Sequence, residues 1–133
     1  MALRHQKLTE KIINVFYHVY NELGYGFLEK VYQNSMFLEL KSRGFFVEAQ
    51  KQINVYFKGV QVGEYYADLV IDNLIIIELK AAEVIAPEHE CQLINYLRGT
   101  EIEVGLLFNF GKKPDFRRKI FDNDKKKLPV KNQ

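Results

Sequence analysis

Residues 67–81 read ADLVIDNLIIIELKA, an apolar run with Asp68 near its start and Glu78 and Lys80 near its end. If that run folds back on itself, two carboxylates and an ammonium meet. Two carboxylates a few ångströms apart repel, and one of them is driven toward protonation. A hard divalent cation removes the conflict, because Mg²⁺ and Mn²⁺ take oxygen ligands. A lysine beside such an ion can orient or help deprotonate an attacking water, or offset charge developing on phosphoryl oxygens. Plainer readings stand beside this one. Asp68 can be a turn or edge residue, and Glu78 with Lys80 an ordinary ion pair at a strand end.

Two further groups fit the same chemistry. In GFLEKVY, Glu29 and Tyr32 are three apart and share a helix face. In CQLINY, Gln92 and Tyr96 are four apart and do the same. Helix-dipole stabilisation alone explains an acid in a first turn, and Gln92 can be a solvated helix residue. As functional groups, Gln and Tyr would donate to a phosphate or to the attacking water.

The elements that must position these residues follow from periodicity. Residues 6–23 carry Leu8, Ile12, Val15, Phe16, Val19 and Leu23 at helical spacing. GYG at 24–26 breaks that helix, and a second runs from about Leu28 to Ser42, stopping near Gly44. FFVEAQ and QINVYFKG have strand character, with KGVQVG as a hairpin connection. YYADLVI and LIIIELKA are two more strands around Asp72-Asn73. APEHECQLINYLRG is a short helix with Pro87 in its first turn and Gly99 past its end. EVGLLFNFG lacks alternation and reads as a strand buried on both faces, and RRKIF as a short edge strand. The order predicts one α/β (α+β) sheet flanked by helices.

Within that sheet, Glu78 and Lys80 share one face and Leu79 takes the other. Whether Asp68 joins them depends on the hairpin. A two-residue loop at Asp72-Asn73 pairs Asp68 with Ile77 and puts Glu78 on the opposite face. A three-residue loop, Ile71-Asp72-Asn73, pairs Asp68 with Ile76 and brings Glu78 diagonally onto the same face. Asn73 would then sit in the left-handed region, which asparagine tolerates. A β-bulge has the same effect. A shared site therefore requires an odd loop or a bulge.

Bulk properties narrow the class. A chain of 133 residues supports one domain with a real core. Its 47% hydrophobic and 27% charged content is ordinary for a globular protein. No apolar run reaches the ~18 residues of a membrane span, and the polar start MALRHQKLTEKI does not form a signal-peptide apolar region. The expectation is a cytoplasmic protein with no membrane association. The single Cys91 excludes an internal disulfide and a cysteine-built zinc site, and is expected to be a small packed thiol. The net charge of +2 hides an asymmetry: from Lys112 onward the balance is +6, and before it −4. The basic end suits a polyanion such as nucleic acid, or is simply a solvated tail. The expected division is one domain over 1–122 and a basic, flexible tail over 123–133.

The series Glu29, Asp68, Glu78-Leu79-Lys80, Gln92-x-x-x-Tyr96 resembles the PD-(D/E)XK nuclease superfamily, and its last pair resembles the branch with RecB-type nuclease domains. The sequence is similar, closer still, to a bacterial family of small proteins named for GxxExxY, which stands here as Gly26-Phe-Leu-Glu29-Lys-Val-Tyr32. Tyr56-Phe-Lys-Gly59, Asp68-Leu69, Glu78-Leu-Lys-Ala81, Gln92-Leu-Ile-Asn-Tyr-Leu97 and Gly105-Leu-Leu-Phe-Asn-Phe-Gly111 extend the likeness over about residues 8–121. Ala67 replaces the proline of the signature, a residue without a chemical role. The resemblance implies a mixed sheet with an αβββαβ core. It implies that Asp68, Glu78 and the Leu79 carbonyl oxygen hold Mg²⁺ or Mn²⁺, with Glu29 at the metal directly or through water. It further implies that Lys80 positions and activates water, and that Gln92 and Tyr96 shape the site or contact the phosphate backbone. The implied reaction is metal-dependent phosphodiester hydrolysis, with DNA expected ahead of RNA.

Two other functions are compatible with the same residues. One is a nucleic-acid-binding module without catalysis, held by the basic end. The other is a protein-interaction subunit, for which the 14% aromatic content would supply exposed contacts. A homodimer is compatible with either the nuclease or the protein-interaction reading.

Overall fold

The computed structural model describes residues 4–127. Helix α1 spans Gln6–Leu23 and α2 Glu29–Ser42. Strands β1 (Val47–Phe57), β2 (Val60–Ile71) and β3 (Ile75–Lys80) follow, then α3 (Pro87–Arg98), β4 (Val104–Phe110) and β5 (Pro114–Ile120). From α2 to β4 the order is αβββαβ. The five strands form one sheet in the order β1-β2-β3-β4-β5. Only β3 and β4 run parallel, joined by the α3 crossover; every other neighbouring pair is antiparallel.

Each face of the sheet carries its own core. Ile12, Val15, Phe16 and Val19 of α1 and Tyr32, Met36 and Leu40 of α2 pack on Ile75, Ile77 and Leu79 of β3 and on Leu106, Phe108 and Phe110 of β4. Leu93, Tyr96 and Leu97 of α3 cover Val70, Ile76 and Leu107 from the other side. A fully buried aliphatic or aromatic side chain contributes about 1.5–3 kcal/mol, so these two layers hold the sheet between the helices. β4 is buried along its whole length, as its unbroken apolar run requires. Gly105 lets α3 approach closely: a Cβ there would lie 2.6 Å from Leu93 Cδ1.

Three local expectations are corrected. FFVEAQ and QINVYFKG are not two strands but one, β1. Gln50 adopts a left-handed φ of 52° without breaking the ladder on either side; Ala49 pairs with Leu69 and Lys51 with Ala67 in constant register.

 A positive φ is unusual for a residue with a side chain, and the strand absorbs it as a local kink. The connection KGVQVG shrinks to Lys58-Gly59, both at positive φ, with Phe57 paired to Val60. That two-residue turn matches the twist of the flanking strands, so β2 begins at Val60 and three strands, rather than four, precede α3.

The loop between β2 and β3 is odd, as a shared site requires, but it lies one residue later than expected. It is Asp72-Asn73-Leu74, with Ile71 paired to Ile75 and Val70 to Ile76. Ile71 is fully buried and stays in the ladder, so the turn takes Leu74 instead. Asn73 is left-handed as expected, and so is Asp72. Asp72 is fastened on both sides: its N–H donates to the Phe46 carbonyl at 2.8 Å, and its Oδ1 accepts from the Phe46 N–H at 2.9 Å.

Of the expected tail, residues 123–127 are described and 128–133 lie outside the described residues. Asn123–Lys125 form a short 3-10 turn, and Lys126 Nζ donates to the Thr100 and Ile102 carbonyls at 2.7 and 2.9 Å. Among the described residues no helix is long and apolar enough to cross a membrane.

Candidate active site

The β2–β3 ladder ends at Leu69 and Ile77. Beyond it, β2 continues along β1 while β3 continues along β4, and the two strands part. The register brings Asp68 directly opposite Glu78. The backbone N–H groups orphaned by the parting are taken by the two carboxylates. Glu78 Oε2 accepts from the Asp68 N–H at 2.8 Å, and Asp68 Oδ2 accepts from the Leu79 N–H at 2.8 Å. Each strand thus holds the other's acid, and satisfying those buried donors fixes both side chains.

The pair is poorly solvated. Glu78 is 3% exposed, and its carboxyl is pushed up to about 8, first by burial and then by the Asp68 charge. Asp68 is raised as well, chiefly by burial, with the Leu79 N–H and the Lys80 ammonium pulling the other way. Lys80 also lowers Glu78, and Glu29 raises both acids. Lys80 and Glu29 therefore lie within electrostatic reach of the pair, and the Lys80 ammonium does not offset the burial of two acids.

Glu29 is exposed at the first residue of α2. Its placement follows from its neighbours in GFLEKVY. Gly26 has φ 107°, a region that side chains disfavour. The Tyr32 ring is buried and stacked on Phe110 with centroids 4.0 Å apart. Its hydroxyl donates to the Gly24 carbonyl at 2.7 Å and accepts from the Phe27 N–H at 3.2 Å. Gly26 turns the chain, Tyr32 anchors the loop, and Glu29 is left at the rim.

From the other layer, α3 presents Gln92 and Tyr96. Tyr96 is 4% exposed, and its hydroxyl is pushed up to about 12, mainly by burial and then by the Glu78 and Asp68 charges, while a hydrogen bond with the Gln92 side chain opposes the rise. All six residues expected from the sequence, Glu29, Asp68, Glu78, Lys80, Gln92 and Tyr96, thus border one region. Two other residues fall outside it. His89 Nδ1 accepts from the Ala86 N–H at 3.1 Å and closes the start of α3. Cys91 is exposed rather than packed, because the buried stripe of α3 runs through Leu93, Tyr96 and Leu97.

Sequence reasoning assigned no role to three supporting residues. Gln50 lies opposite Asp68 on β1, its Nε2 at 3.5 Å from Asp68 Oδ1 and at 2.9 Å from Gln33 Oε1. Gln33 is buried on α2, four residues after Glu29, a spacing that could have marked it. Asn109 is the lone polar residue in the strand VGLLFNF and pairs with Lys80. Its amide accepts from the Ala82 N–H and donates to the Ala82 carbonyl, both at 2.9 Å. Gly111 lets that chain pass, since a Cβ there would meet the Ala82 oxygen at 2.7 Å. Asn109 and Gly111 thereby fix the path of the chain as it leaves Lys80.

Among the described residues no three His, Cys, Asp or Glu side chains cluster closely enough to hold a metal. The donors nevertheless suit a hard cation: two adjacent carboxylates, all-oxygen, with unneutralised charge recorded in the raised Glu78. Protein carboxylates would supply two ligands, leaving the rest to backbone oxygen, water or substrate.

Comparison with known proteins gives one family and one fold relative. A sequence model of the family described as PD-(D/E)XK nuclease superfamily matches residues 6–119. The crystal structure of SSO0001 is similar to this chain at 20% identity and a TM-score of 0.54, over 70% of this chain and 50% of that one. The chain thus spans about half the length of that protein, and the likeness is one of fold. No curated protein matches.

Proposed function

The chain belongs to the PD-(D/E)XK nuclease superfamily, and from that premise we propose that it is a divalent-metal-dependent nuclease, acting on DNA ahead of RNA. The observation that carries the reading is the buried, uncompensated Asp68–Glu78 pair beside Lys80. Asp68, Glu78 and the Leu79 carbonyl would hold Mg²⁺ or Mn²⁺, with Glu29 reaching it through water. The ion would supply Lewis acidity toward the scissile phosphate and lower the pKa of water.

The chain's own groups do the rest. Lys80 orients the attacking water and offsets charge on the phosphoryl oxygens. Tyr96, kept protonated by its raised pKa, donates a hydrogen bond to the phosphate, and Gln92 holds that hydroxyl in place. Gln33 and Gln50 keep Asp68 aimed. Within the superfamily, the Gln92-x-x-x-Tyr96 pair favours the RecB-like branch, and Gly26, Glu29 and Tyr32 favour the GxxExxY family.

Calorimetric titration with Mn²⁺ tests the site. Wild type is expected to bind the ion, and the double variant Asp68→Ala, Glu78→Ala to lose it. If neither the protein alone nor its complex with an oligonucleotide takes up Mn²⁺, the metal-dependent reading fails.

A second reading, binding without catalysis, has its own observation. Lys112 and Lys113 follow β4 and are exposed at the end of the sheet where Lys80 lies, beside a cavity shared with Asn109 and Arg117. The variant Lys112→Ala, Lys113→Ala is expected to bind oligonucleotides more weakly and to reduce the slope of log affinity against log salt by about 2. An unchanged slope would place the phosphate contacts elsewhere. Cleavage by wild type would exclude the purely binding reading.

A further inference from the structure

Beside the carboxylates, α3 and β2 border an open cavity of about 450 Å³. One wall is the Tyr65 ring, 45% exposed, with the Tyr96 ring behind it at 5.3 Å between centroids. Pro87, Glu88, Cys91, Gln92 and Asn95 of α3 complete the lining. Gln92 and Tyr96 belong at once to this cavity and to the border of the acidic pair, so the two spaces adjoin.

The chemistry of the lining selects its occupant. Among the described residues no lysine or arginine lines it, and Glu88 does, so the cavity disfavours a phosphate. The cations stand apart, at Lys112 and Lys113. What it offers is an open aromatic face and two side-chain amides, each with donors and an acceptor. An uncharged, planar, hydrogen-bonding ring fits that description. A nucleobase stacks on aromatic rings whatever its identity, and its edge matches the amides.

We propose that this cavity takes one unpaired nucleobase of a strand whose backbone lies over Asp68 and Glu78, so that the protein acts on single-stranded nucleic acid. The inference rests on the nuclease reading for the position of the backbone. A base held in a duplex stack cannot enter without being flipped out, at the cost of its pairing and stacking.

The test is titration of the protein, in EDTA, into a single-stranded DNA oligonucleotide carrying 2-aminopurine, and into a blunt hairpin duplex of the same sequence. Wild type is expected to quench the single strand's fluorescence by stacking and to bind it tighter than the duplex. Tyr65→Ala is expected to weaken single-strand binding about tenfold to a hundredfold and to lose the quench. Tyr65→Phe, which keeps the ring, should restore both, and this rescue separates stacking from a folding defect. Equal single-strand binding by wild type and Tyr65→Ala, no quench at any label position, or tighter duplex binding overturns the base pocket. Mn²⁺-dependent cleavage, measured separately on the same oligonucleotides, tells the two failures apart: cleavage without the Tyr65 effect removes only the pocket. Single-strand binding with the Tyr65 effect but without cleavage removes only the nuclease.

Discussion

Asp68→Asn is expected to lower Mn²⁺-dependent cleavage by at least about a thousandfold while leaving the melting temperature equal to or above that of wild type. The loss follows from removing one of two carboxylates that would hold the ion, along with the charge stabilisation the ion supplies. The stability follows from the hydrogen bonds. An asparagine Oδ1 can still accept from the Leu79 N–H, now met by Asp68 Oδ2 at 2.8 Å, so no buried donor is orphaned. Its neutrality also removes the Asp68 charge that raises Glu78. Cleavage assays alongside thermal melts decide the matter. A melting temperature lowered by more than about 5 °C would make Asp68 a structural residue, and full activity would remove it from the site.

Glu78→Gln carries the largest expected effect on stability, and its sign depends on pH. The Glu78 carboxyl stands at about 8 in the folded protein against an ordinary 4.5, through burial and then the Asp68 charge. Between those values the folded state keeps a proton that the unfolded chain has released. The stability tied to that proton is complete below pH 4.5 and is lost as pH rises toward 8. Across that window the loss is on the order of 5 kcal/mol. Glutamine does not titrate, and its Oε1 can still accept from the Asp68 N–H. In EDTA, the variant is therefore expected to melt roughly 15 °C above wild type at pH 8, with the gap closing toward pH 4.5. A gap independent of pH would mean that Glu78 is not held protonated. Such a gain would mark the pair as a place where folding stability is lost to keep two acids together.

Protein-interaction readings draw on exposed apolar residues, and these exist. Tyr25, Phe27 and Leu28 are exposed next to Glu29. Their position at the rim of the candidate site links them to that site as readily as to a protein partner.

The sequence by itself marked most of the elements and suggested the chemistry. The 3.6-residue spacing of Ile12, Val15, Phe16 and Val19 marked α1 with its bounds at 6 and 23, because one helical stripe has to meet the core. The unbroken run of β4 marked a strand covered on both faces. The residue types Asp, Glu and Lys at 68, 78 and 80 raised the expectation of oxygen ligation and phosphate chemistry, since the types alone carry that suggestion. What needed tertiary structure was registration. Whether the loop took Ile71 or Leu74 depended on which was buried by helices from elsewhere in the chain, and local sequence does not encode that competition. The continuity of β1 through the left-handed Gln50 depended on β2 holding both sides of the kink. The parting of β2 from β3 depended on β4 pairing with the far end of β3. That parting is what frees the two N–H groups that Asp68 and Glu78 satisfy, so a contact between residues ten apart is decided by a strand that lies nearly thirty residues further on.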